Sequence, residues 1–120
     1  MPDIREMVQL LDKQNCLFDE LHEISRNIQQ SLIIEDVESV VKCVEERRTL
    51  LARAQKVQMR TAAMLQEYTE TECMPQQVAC LVSEGRKTLL NILEIDKTCE
   101  KLGERIAGEL VGKPDRAPNS

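Results

Sequence analysis

An all-α fold, an antiparallel bundle of three long helices, is predicted by three features of the 120-residue chain. Between Pro2 and Pro75 there is neither glycine nor proline, so residues 3 to 74 lack the two residues that most readily interrupt a helix. Apolar residues recur three and four apart under a background that is 31% charged, the pattern of rods that bury one stripe against each other. Only Phe18 and Tyr68 are aromatic, so the core must be packed with Leu, Ile, Val, Met and Ala. A chain of this length buries roughly two thirds of its unfolded surface, enough for one core. A single domain over residues 1 to 112 is expected.

The first helix is predicted over residues 3–31. Ile4, Leu11, Phe18 and Leu32 share one heptad position, Met7, Leu21 and Ile28 another, and Leu10, Leu17 and Ile24 flank them. In the second, over 36–70, Val37, Val44, Leu51 and Leu65 repeat every seven, flanked by Cys43, Leu50, Val57 and Met64. The step from Leu32 to Val37 puts the two stripes out of phase, so the chain is expected to turn between Ser31 and Asp36. The β-branched pair Ile33 and Ile34 weakens helix there, and Asp36 is a suitable N-cap, although the absence of glycine leaves the C-cap without an obvious residue. A second turn is marked by Pro75, tolerated as a first helical residue. The third helix, 75–111, carries Val78, Leu81, Val82, Leu89, Ile92, Ile95, Cys99, Leu102, Ile106 and Leu110, and Gly112 with Pro114 should close it. Residues 113–120 read as a polar flexible tail.

Short turns make neighbouring rods antiparallel. The resulting register sets Phe18 beside Leu50, and Leu51 beside Ile92 and Ile95. It also brings Arg47 level with Asp96, a structural polar pair that would fix register more than stability, because desolvation offsets much of a buried pair's attraction. Gln58 and Thr61 fall opposite Gly85 and Thr88. Small and polar residues there either let helices two and three approach closely or form a seam that opens to a partner helix. Helix three is apolar over a wider arc than one neighbour needs. Val82, Leu89, Leu90 and Leu93, bordered by Glu84, Arg86, Lys87 and Glu94, are the candidate partner-binding residues, unless helix one covers them.

The chemistry of catalysis is missing from this sequence. His22 is the single histidine, no serine sits in a nucleophile elbow, and the four glycines form neither GxGxxG nor GxxxxGK, so no enzyme, no catalytic residue and no cofactor is expected. The net charge of −5 and the near absence of stacking side chains argue against nucleic acid. No run of eighteen apolar residues occurs and the opening MPDIREMVQLL lacks a signal-peptide pattern, so a cytoplasmic protein without membrane insertion is expected. The five cysteines, at 16, 43, 73, 80 and 99, contain no CxxC and read as reduced thiols. Cys43 and Cys99 are expected as small core residues and Cys16 as exposed. Cys73 and Cys80, with His22, are the one grouping relevant to a thiol sensor or metal site, yet they lack the ligand spacing of one, and no metal is expected.

The stretch DVESVVKCVEERRTLLARAQ, residues 36 to 55, resembles the segment after the first turn in the small flagellar export chaperones of the FliT and FlgN type. Asp36, Glu46, Arg47, Leu50 and Leu51 hold matching places, with Arg48 shifting the match by one. The run LLNILEIDKTCEKLGERI, residues 89 to 106, is similar to their final long helix, with an aspartate at Asp96. Low aromatic content and a short tail are departures. The resemblance implies a non-catalytic cytoplasmic chaperone of bacterial flagellum biogenesis. It would bind the C-terminal helical segment of an axial protein, prevent its premature assembly and deliver it to the type III export apparatus. The client would be the filament cap for a FliT-like protein, which the short length and ILEID favour, or a hook–filament junction protein for a FlgN-like one. The alternative from the residues alone is a helical adaptor that forms a homodimer through the wide face of helix three.

Overall fold

A computed structural model describes residues 3–71 and 74–116, with side chains through residue 68 in the second helix and through residue 109 in the third. Three helices make up the fold: α1 (Ile4–Ile33), α2 (Val37–Thr71) and α3 (Gln76–Arg116), within 68 × 24 × 18 Å. Asp3 caps α1 by accepting the Arg5 N–H at 2.9 Å. Pro75 immediately precedes α3, and its carbonyl accepts the Ala79 N–H at 3.0 Å. The bundle is the antiparallel three-helix one expected, with α1 and α3 running in the same direction. None of the three helices is both long enough and apolar enough to cross a membrane.

The corner between α1 and α2 answers the question of the missing glycine. Glu35 adopts φ 57°, the left-handed conformation, while its N–H bonds to the Leu32 carbonyl at 3.1 Å and the Asp36 N–H bonds to the Ser31 carbonyl at 2.9 Å. These two bonds are the reverse-turn cap that normally recruits glycine, here built on glutamate. Asp36 then caps α2, its carboxylate accepting the Ser39 N–H at 3.2 Å. One residue thus ends the first cap and begins the second, which keeps the corner to three residues.

α1 is the central element, packing along both other helices. Towards the corner, Leu17, Phe18 and Leu21 bury against Ala54 and Val57 of α2 and Ile92 of α3, with Leu50 and Leu89 at the margin. At the opposite end Met7 and Leu11 bury with Tyr68 and Val78. Gln14 and Thr61 lie between these two clusters, and the Thr61 hydroxyl donates to the Gln14 side-chain oxygen at 2.6 Å, satisfying two polar groups that burial would otherwise penalise. Ser25 and Ser31 are also buried on α1.

The buried arc of α2 is not the heptad row expected. Val37, Val44 and Leu51 are exposed, and the Leu51 Cα does not come within 8 Å of Ile92 or Ile95; the side chains that bury are Ala54, Val57, Thr61 and Tyr68, with Leu50 half-buried. Ala54 is small enough to admit α1 closely, and Thr61 is pinned to Gln14, so these two residues rotate α2 and turn the valine–leucine row away from α1. α3 also continues past Gly112 and Pro114 to Arg116, because Gly112 takes no left-handed cap and a proline in the last turn forfeits one backbone bond. The part of the expected tail beyond residue 116 lies outside the described residues.

Candidate binding groove between α2 and α3

Among the described residues no Cα of α2 comes within 8 Å of a Cα of α3. Close approach occurs instead between α3 and α1: a Cβ on Gly85 would lie 2.6 Å from the Asn15 Oδ1 atom and 3.5 Å from the Phe18 ring. Asn15 also donates to the Leu81 carbonyl at 3.0 Å, tying the same two helices together. The weak layer of Gln58, Thr61, Gly85 and Thr88 therefore does not draw α2 to α3. Thr61 turns to α1, Thr88 bonds to the Glu84 carbonyl of its own helix, and the seam between α2 and α3 stays wide.

The seam contains a cavity of about 200 Å³. Its floor is Gln14 and Phe18 of α1, one wall is Gln58, Thr61, Ala62 and Leu65 of α2, and the other is Val82, Gly85, Arg86 and Leu89 of α3. Helical spacing extends both walls towards the corner. Leu51 lies seven residues before Gln58, and Leu93 lies seven after Arg86 and four after Leu89. Leu51 is 41% exposed, Leu93 55% and Leu90, on the outer rim, 56%.

The four candidate partner-binding residues thus divide. Leu90 and Leu93 face solvent, and α1 does not cover them. Val82 and Leu89 are half-buried, packed against the two core clusters, because their positions on α3 point between α1 and the groove. Sequence reading placed Gln58 and Thr61 at a seam that could open to a partner helix but took Leu51 and Leu65 as core, and so missed the apolar part of the opposite wall. The out-of-phase heptad row of α2 was the signal for it.

Arg47 crosses the seam at its corner end. Its guanidinium donates to the Asp96 carboxylate at 2.7 Å, with both side chains about one third exposed. The Arg47 Nε is buried without a partner, as is the Asn15 Oδ1. Cys99 lies beside this pair, and burial foremost, then the Asp96 charge, pushes its thiol pKa up, with Arg47 opposing. That keeps it protonated and a poor nucleophile. Cys43 is half-buried, Cys16 and Cys80 are exposed, and Cys73 lies outside the described residues. Among the described residues no three His, Cys, Asp or Glu side chains are grouped to hold a metal ion.

Comparison of the chain with protein-family models, with curated proteins and with solved structures gives no match.

Proposed function

We propose that this protein is a non-catalytic chaperone that holds one amphipathic helix of a client in the groove between α2 and α3. The observation that carries this reading is the separation of α2 from α3, which leaves an apolar-walled channel over Phe18 in a bundle whose other helix pairs are closed. A helix laid there would be covered by Leu51 and Leu65 on one side and Leu89 and Leu93 on the other, while Gln58 and Arg86 keep the empty channel wetted. From Leu51 to Leu65 the wall spans about 21 Å, room for roughly four helical turns before the Arg47–Asp96 bridge. The resemblance of residues 36 to 55 and 89 to 106 to the FliT and FlgN type supplies the setting. The client is the C-terminal helical segment of a flagellar cap or hook–filament junction protein, kept unassembled in the cytoplasm until it reaches the export apparatus.

The test is titration of the purified full chain with C-terminal helical peptides of flagellar cap and junction proteins, read by anisotropy and by mass in solution. A one-to-one complex is expected, weakened at least tenfold by Leu90→Ser with Leu93→Ser. Both side chains are largely exposed, so the variant should keep its helical circular dichroism. Failure of every such peptide to bind, or binding unchanged by the double variant, overturns the reading. A permanent homodimer indifferent to the peptides would favour the adaptor instead.

A further inference from the structure

A second apolar surface lies at the α1–α2 corner, beyond the Arg47–Asp96 bridge that ends the groove. Ile33 and Ile34 are 53% and 63% exposed, and the first turns of α2 add Val37 at 62%, Val41 at 56% and Val44 at 39%. Val37, Val41 and Val44 stand at i, i+4 and i+7, so they form one continuous stripe on the helix surface, which Arg48 ends at the next such position. Nothing in the fold requires valines there. A solvated helix face ordinarily carries charged and polar residues, and β-branched residues are among the weaker helix formers.

The surroundings of this stripe are acidic. Between residues 33 and 48 the exposed charges are Glu35, Asp36, Glu38, Glu45 and Glu46 against Lys42 and Arg48, a net of −3 in a chain whose total is −5. Each stripe valine is followed by a charged residue, Glu38, Lys42 and Glu45, so that acids border the apolar row at both ends with one lysine between them. The side chains described towards the end of α3 do not neutralise the region, since Lys101 and Arg105 are balanced by Glu104 and Glu109. Nor does that end bury anything against its glycines, because a Cβ on Gly103 or Gly108 would meet nothing within 4 Å.

We propose that this corner is a second docking surface, and that its occupant is a short basic amphipathic helix of a partner protein, with apolar residues for the valine stripe and Lys or Arg flanks for the acidic border. The stripe extends about 10 Å along α2, which matches two turns of such a helix. Charge complementarity selects this occupant over a second copy of the chain, whose corner would bring like charge to like charge. Val37 and Val44 continue the Leu51 row of the groove wall past the Arg47–Asp96 bridge, so the two surfaces adjoin and a basic partner would sit next to a bound client.

The experiment uses the full chain and a labelled amphipathic peptide of leucine and lysine with leucines at i, i+4 and i+7, followed by fluorescence anisotropy. Binding is expected to weaken at least tenfold in Ile34→Ser with Val41→Ser. It should also fall severalfold in Glu38→Gln with Glu45→Gln and with rising salt, and be unchanged in Leu90→Ser with Leu93→Ser. A matched peptide with glutamate for lysine should not bind. Equal affinity for the two peptides overturns the proposal, as does binding lost through the groove variant and kept in the corner variant. A concentration-dependent doubling of mass abolished by Ile34→Ser with Val41→Ser would assign the surface to a second copy and likewise overturn it. Circular dichroism of each variant confirms that the exposed substitutions leave the helices intact.

Discussion

Replacing Gly85 with alanine tests whether α3 is seated on α1 as described. In an unencumbered helix the change should stabilise by about 1 kcal/mol, because alanine restricts the unfolded chain more and favours helix. Here the added Cβ would sit 2.6 Å from the Asn15 Oδ1 atom, a distance no carbon and oxygen tolerate, although its 3.5 Å approach to the Phe18 ring is ordinary packing. Asn15 is not free to swing away, since its amide donates to the Leu81 carbonyl at 3.0 Å. Giving up that bond costs about 1 kcal/mol, and overpacking at a close helix crossing costs about 1–2 kcal/mol more. Set against the propensity gain, the net is a loss of about 1–2 kcal/mol, or a fall of roughly 4–8 °C in melting temperature for a domain of this size. The assay is thermal and urea unfolding followed by circular dichroism, with Asn15→Ala and the double variant alongside. The double variant removes the oxygen in the way, so it should recover much of the loss and show strong non-additivity. A Gly85→Ala protein that melts higher than the parent would refute the crossing.

Two further outcomes follow from local geometry. Glu35→Gly should raise stability by up to about 1 kcal/mol in urea unfolding, because φ 57° strains a side-chain-bearing residue and not glycine, while Glu35→Ala should bring no gain; equal effects would mean that the corner is not capped as described. Burial and the neighbouring Asp96 hold the Cys99 thiol protonated above the ordinary thiol range, so at neutral pH a maleimide should modify the exposed Cys16 and Cys80 first, with Cys99 gaining reactivity only as pH rises; mass spectrometry of partially labelled protein would expose an error as early modification at Cys99.

The helices and the two turns between them were legible because period and punctuation are local properties, whereas the end of α3 was not, since Gly112 and Pro114 do not stop it. The absence of glycine and proline through residue 74, Asp36 before the second stripe and Pro75 before the third place the turns within a few residues of where they occur. The C-cap was not legible, since a glutamate in the left-handed conformation leaves no compositional trace and is held by backbone bonds to Ser31 and Leu32. Which face of α2 would be buried was misread for a different reason. Heptad counting rewards large apolar residues, whereas α2 is positioned by Ala54, which is small, by Thr61, which is polar, and by Tyr68. The polar partner Gln14 lies inside an otherwise apolar stripe of α1, so only the three-dimensional pairing reveals that the two belong together. Leu90 and Leu93 could be read ahead because an arc wider than one neighbour can cover must leave something exposed.

The open seam has to be explained as an equilibrium feature, because two apolar-walled helices lying side by side would gain by closing. Closure is opposed on α1. α3 cannot tilt further towards α2 without leaving the Gly85 crossing and the Asn15 bond, and α2 cannot rotate its leucine row inward without breaking the buried Thr61–Gln14 bond and exposing Ala54 and Val57. Losing that bond would strand the buried Gln14 oxygen at about 1–3 kcal/mol, while the Thr61 hydroxyl keeps the Gln58 carbonyl at 2.9 Å, and the cost is comparable to what burial of one half-exposed leucine returns. Arg47 and Asp96 span the gap by side-chain length where the backbones stay apart, so they set its width at one end without filling it. The groove is therefore held open by contacts that lie on its floor and at its end. An incoming helix would not have to displace any of them, and its own apolar face would supply the burial that the empty walls lack.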